Sequence, residues 1–158
     1  MNRPFAHVLP GISALLLGVS SATAAPVCKP VVGSFQAAAV PPGQGHCPAA
    51  APLCTAGRVW GGIQGSYQFV MTAASPAGPL GGTPTVVFFT GTSGVALNSG
   101  GLMTGVDTGS LDLPPGLGGF ASLITFGGGA GGQIRLRGEF NAADGTTSGD
   151  YLGTLCTP

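Results

Sequence analysis

The chain has 158 residues with five Lys+Arg, five Asp+Glu and no net charge, and only 6% of it is charged, against about 25% in an ordinary globular domain. That balance excludes a protein that grips nucleic acid or an anionic surface through a basic excess. Gly 30 and Pro 14 raise the possibility of low-complexity disorder, but 44% of the residues are hydrophobic, more apolar side chain than disordered chains carry.

Residues 1–24 read as a secretory signal peptide. Arg3 supplies a short positive region, Val8 to Val19 is apolar apart from Ser13, and small residues run from Ser20 to Ala25. Signal peptidase requires small side chains three residues before the cut and immediately before it. Ala22 and Ala24 meet that need, which places cleavage after Ala24. The apolar run is shorter than the roughly 20 residues that span a bilayer, and Pro10 and Gly11 interrupt it. No membrane span is expected in the mature chain, which is then secreted or periplasmic. About 134 residues remain, one domain by size, with four basic against five acidic residues once Arg3 is lost.

Cys28, Cys47, Cys54 and Cys156 all survive cleavage. An even number of cysteines in an exported chain points to two disulfides. Three connectivities are open. We prefer Cys47–Cys54, closing a short Pro/Ala loop, with Cys28–Cys156 tying the two ends together. There is no C-x-x-C, and His46 is the sole histidine after cleavage, so neither a metal site nor a cofactor is expected.

Residues 25–56 read as an N-terminal strand and a Pro/Ala-rich loop holding a disulfide, with 37–53 the most linker-like stretch. Residues 57–158 read as the main body. Gly or Pro recurs too often there for a helix of ten residues, whereas period-two alternation is frequent. In 57–72, Val59, Ile63, Tyr67, Phe69 and Met71 share one face; Gln64, Ser66, Gln68 and Thr72 share the other with Trp60 and Val70. That is one long half-buried strand or a bent pair. The run Val86 to Phe89 is apolar on both faces, and strands at 94–98 and 101–107 follow, joined by a tight turn at Asn98-Ser99-Gly100. Another strand is expected at 119–126.

The clearest alternation is in 133–141. Ile134, Leu136 and Phe140 face one way, and Gln133, Arg135, Arg137 and Glu139 the other. Asp144-Gly145 marks a turn, and 150–156 returns as the partner strand. Opposing Phe140 to Tyr151 also opposes Gly138 to Gly153 and Leu136 to Leu155, which matches every apolar position. Short strands in this number, with glycine-rich turns between them, predict an all-β protein. We expect a small antiparallel β-barrel of about seven to nine strands, favoured over a sandwich because a Cys28–Cys156 bridge would hold first and last strands together.

The segment Phe126 to Gly138, in which Gly127–Gly129 and Gly131–Gly132 lead into Gln-Ile-Arg-Leu-Arg-Gly, is followed by Gly149-Asp-Tyr-Leu-Gly-Thr-Leu-Cys156. Together they resemble small secreted bacterial proteins of the allene oxide cyclase/dirigent barrel type, over the last third of the chain. Cys54-Thr-Ala-Gly57 at the start of the long strand adds to the likeness. The resemblance implies a closed barrel able to hold an apolar small molecule, and no catalytic residue follows from it.

Val106-Asp107-Thr108-Gly109-Ser110 is similar to the catalytic loop of aspartic proteases, where two Asp residues share a proton and activate water. Thr104 and Gly105 replace the apolar lead-in, and Asp-Thr-Gly is also an ordinary turn. We therefore read Asp107 as a solvated turn carboxylate. Asp107 and Asp112 as a glycosidase pair would need to flank a sugar at about 5–10 Å, which a spacing of five residues does not establish. Gly127–Gly132 has no Lys after it and leads into a strand, so it is a hairpin connection and not a phosphate cradle. Arg135, Arg137 and Glu139 are read as a solvent-facing strand surface. With no catalytic set assembled, the leading expectation is a barrel that binds an apolar small molecule or has a structural role. A cyclase- or isomerase-like enzyme is the alternative, and it requires at least one of Arg58, Arg135, Arg137, Glu139 or Asp150 in the pocket. An aspartic-protease-like hydrolase built on Asp107-Thr108-Gly109 comes last.

Overall fold

The computed structural model describes residues 26–77, 86–112, 116–127 and 131–157. Residues 1–24, read above as a signal peptide, and residues 128–130 of the glycine-rich connection lie outside them. Eight strands follow one another in chain order: β1 (Val27–Ala39), β2 (Cys54–Gly61), β3 (Gly65–Ala77), β4 (Val86–Leu97), β5 (Leu102–Asp112), β6 (Leu117–Gly127), β7 (Gly131–Asn141) and β8 (Thr146–Thr157). Each pairs antiparallel with the next, and β1 pairs with β8, so the sheet closes into an up-and-down barrel. Closure removes the sheet edges that a chain so poor in charge would otherwise have to protect.

The first strand comes from the 25–56 segment, so that segment is part of the barrel. Its linker-like portion after Ala39 is a succession of turns, with Gly43 N–H donating to Cys47 O at 3.0 Å and Cys47 N–H to Gln44 O at 2.9 Å. The 57–72 pattern resolves into β2 and β3 around Gly62–Gln64, and Val59, Ile63, Tyr67, Phe69 and Met71 are all buried. The run Val86 to Phe89 and the strand expected at 94–98 fall in one continuous strand, β4.

Both disulfides have the preferred connectivity: Cys28–Cys156 bridges directly opposed residues of β1 and β8, and Cys47–Cys54 pins the β1–β2 loop to the start of β2. Two disulfides mark a protein of an oxidising compartment. Among the described residues no helix is long and apolar enough to cross a membrane.

The β7–β8 hairpin forms, but its register differs from the expected one by four residues. Leu136 opposes Tyr151, Gly138 opposes Gly149 and Phe140 opposes Thr147. A shift of four keeps every side chain on its face, so apolar matching alone does not choose between the two. The turn chooses. Asp144 accepts hydrogen bonds from Thr146 N–H at 2.9 Å and Thr146 Oγ1 at 2.7 Å, which starts β8 immediately after the turn. The expected register would leave 146–149 unpaired and their backbone groups unsatisfied.

Glycines are interspersed among the large inward side chains. A Cβ at Gly33 would meet the Tyr151 ring and the Trp60 carbonyl, and one at Gly91 would meet the Phe69 ring. Glycine at these positions lets a narrow barrel hold aromatic side chains. Phe35 packs tilted on Tyr67 with ring centres 6.2 Å apart, and edge-on to Phe120 at 5.8 Å.

Candidate functional site

The barrel has two unlike ends. One carries the chain ends and the connections at Gly62–Gln64 and Asn98–Gly101. Ile63, Val95, Met103, Phe126 and Ile134 are buried toward it. The Tyr151 hydroxyl accepts from Ile63 N–H at 2.7 Å and is shared between the carbonyls of Trp60 (3.1 Å) and Ile63 (3.2 Å). Burial raises the pKa of this phenol, so it stays a neutral tie across the interior.

Toward the other end, where β1 leads into the 40–53 loop and β7 turns into β8, the interior holds a cavity of about 50 Å³. Phe35, Tyr67, Phe69, Phe89, Phe120 and Phe140 supply its aromatic wall, and Leu53, Met71 and Leu111 its aliphatic one. Phe89 stands edge-on to Phe69 with ring centres 5.5 Å apart. It is carried inward by the outer part of β4, beyond a bulge in β3 between Met71 and Ala73.

Asp107 lines this cavity from the middle of β5, where it opposes Gly91 and Ile124. It is 2% exposed. Asp107 is thus not a solvated turn carboxylate: Asp-Thr-Gly here lies within a strand, and the inward set of that strand is Met103, Gly105, Asp107, Gly109 and Leu111. Two glycines in that set hide the period-two signal, and the apolar Leu102 and Val106 on the outer face blur it further. Parity with the buried Met103 and Leu111 was the signal that could have placed Asp107 inside.

The polar surroundings of Asp107 are sparse. Ser93 Oγ donates to Asp107 Oδ2 at 2.7 Å, and Tyr67 OH lies 3.3 Å from Ser93 Oγ, so a chain of hydroxyls ends on the carboxyl. Asp107 Oδ1 is buried and has no hydrogen-bond partner among the described residues. Burial raises the Asp107 pKa, offset in part by the hydroxyls of Ser93 and Ser122. The Tyr67 phenol is raised by its own burial first and by the charge of Asp107 second.

The other candidate residues lie elsewhere. Arg58, Arg135, Arg137, Glu139 and Asp150 are all exposed on the outer face, so none supplies the pocket group that the enzymatic alternative required. Asp150 accepts from Ser34 Oγ at 2.7 Å. Asp112 is exposed on the face opposite to Asp107, so the two do not form a carboxylate pair. A protease dyad would need Asp107 to reach its copy in a second chain, and a carboxyl inside the barrel cannot. His46 Nε2 lies 3.2 Å from the Phe69 carbonyl. Among the described residues no cluster of His, Cys, Asp or Glu is placed to hold a metal ion.

Fold and site together define a closed, disulfide-bonded β-barrel with one uncompensated acid at the inner end of an aromatic cavity. No family model, curated protein or solved structure matches the chain.

Proposed function

We propose that this is an exported binding protein that takes the end of a small, mainly apolar molecule into the barrel. The observation that carries the reading is the aromatic cavity with a single buried carboxyl, half satisfied, at its inner end. Buried polar atoms are nearly always paired, and an exception on a residue that lines a cavity supports a ligand that completes it. The two disulfides support export, in agreement with the signal-like N-terminus.

The volume bounds the ligand. Sites for drug-sized molecules enclose about 300–1,000 Å³, whereas this cavity measures about 50 Å³. It takes a few non-hydrogen atoms, with the remainder of the ligand lying among the side chains nearer the mouth. Titration calorimetry of the mature, disulfide-bonded chain with n-alkanols of two to six carbons tests the reading, alongside native mass spectrometry of protein purified from its own host. Saturable binding that strengthens with chain length and then levels off is expected. Failure of every member to bind, with no co-purifying mass, overturns it.

A further inference from the structure

The open valence at Asp107 carries the reading further, to the chemistry of the ligand's buried end. We infer that this end is a primary or N-methylated alkylammonium group, held by Asp107 within the aromatic wall; this rests on the binding function proposed above. Three observations converge on a cation.

First, the carboxyl lacks a counter-charge. Ser93 on β4, Ser122 on β6 and Tyr67 on β3 are the polar groups toward Asp107, and only Tyr67 among them titrates. Among the described residues, Thr55 and Thr147 are the remaining polar residues of the cavity, and no arginine, lysine or histidine lines it. Arg58, Arg135, Arg137, Glu139 and Asp150 lie on the outer face. A buried carboxylate is costly unless paired, and within this wall only a ligand can supply the positive partner.

Second, Asp107 Oδ1 is the free acceptor. The Ser93 proton is already committed to Oδ2, and the Ser122 hydroxyl, close enough to favour the ionised carboxyl, makes no hydrogen bond to Oδ1, so the carboxyl offers Oδ1 to an incoming N–H donor. Third, the wall is built of five Phe rings and one Tyr ring. Aromatic faces attract cations, more strongly when both are removed from water. An acid within aromatic rings is the donor set for an alkylammonium ion, and the cavity's size admits an ammonium or methylammonium head with its tail toward the mouth.

The test is a comparison at equal chain length. Propyl- to hexylammonium, the matching n-alkanols and the matching n-alkanoates are titrated calorimetrically into the mature chain from pH 5 to pH 8. At pH 8 the ammonium ion should bind about tenfold or more tighter than the alkanol, the scale of one charge-assisted hydrogen bond with cation–π support. This advantage should shrink toward acid pH, where Asp107 holds a proton that binding must displace. Proton release, read from heats in buffers of differing ionisation enthalpy, should accompany ammonium binding there and not alkanol binding. Asp107→Asn should collapse the ammonium-to-alkanol ratio toward one, and Phe89→Leu, which leaves the acid in place, should lower it about threefold.

Equal affinity for ammonium and alkanol in the unmutated protein overturns the inference and leaves the binding function standing. Tighter binding of alkanol or alkanoate than of the ammonium ion at pH 8 also overturns it, because Asp107 would then serve as a neutral acid. Binding of none of the three series overturns both.

Discussion

The two ends of the barrel solve the same packing problem in different ways. At the end that carries the termini, one Tyr151 hydroxyl serves one backbone donor and two backbone acceptors around Ile63, and the neighbouring interior is apolar. At the other end a carboxyl is buried with one oxygen bonded and the other bare. The first arrangement lowers the free energy of the fold. The second raises it, and a protein tolerates such a departure chiefly where function requires it. The disulfides repeat the contrast: one joins residues 128 apart and completes the barrel, while the other joins residues seven apart and trims a loop.

That contrast predicts an order of effects. Replacing Cys28 and Cys156 together by Ser should cost the most, about 5 kcal/mol by loop-closure entropy for a loop this long. Denaturant unfolding at pH 7 would read it, and a loss as small as that of the short bridge would break the contrast. Replacing Cys47 and Cys54 should cost about 2.5 kcal/mol on the same reasoning. Tyr151→Phe follows at about 2 kcal/mol, because it leaves the buried Ile63 N–H without its partner. Its loss should be the same at pH 5 and pH 8, since the raised pKa keeps this phenol neutral across that range.

Much of this fold is legible in the sequence, because faces follow from period two alone. Val59, Ile63, Tyr67, Phe69 and Met71 all read as inward, as did Ile134 and Leu136, and all are buried. Arg135, Arg137 and Glu139 read as outward, and all are exposed. Register is another matter. Alternation is blind to even shifts, so the β7–β8 pairing depended on hydrogen bonds made by Asp144 within the turn, which no apolar pattern encodes. The site was the least legible part. Asp107 sits between Gly105 and Gly109, so the strand's inward face carries no apolar side chain for one position on either side. Its partners Ser93 and Tyr67 come from β4 and β3, 14 and 40 positions earlier in the chain. The pairing of the consecutive strands β3, β4 and β5 brings them together, and no local pattern within one strand encodes it.

Asp107→Asn puts the contrast to its most searching test, and its effect on stability is the smallest of the series at acid pH. The substitution keeps the shape and an acceptor for Ser93 while removing the ionisable proton. Because burial raises the folded-state pKa of Asp107 above its unfolded value, the folded protein holds this proton more tightly than the unfolded chain does. Stability from this group is therefore fully present below the unfolded pKa and is lost as pH rises through the folded one. The Asn variant lacks that dependence. Its midpoint should lie close to that of the unmutated protein at pH 4 and move above it as pH rises through the folded-state pKa, read from paired denaturant titrations at several pH values. A variant that is less stable at every pH would mean that the protein already satisfies this carboxylate, and the loop end would then be built for stability as the terminal end is. A gap that widens with pH would show that the ionised carboxyl works against the fold. A saturating alkylammonium ion should then close that gap by lowering the pKa of Asp107 in the bound state, since a ligand that binds only the folded form stabilises it in proportion to its occupancy.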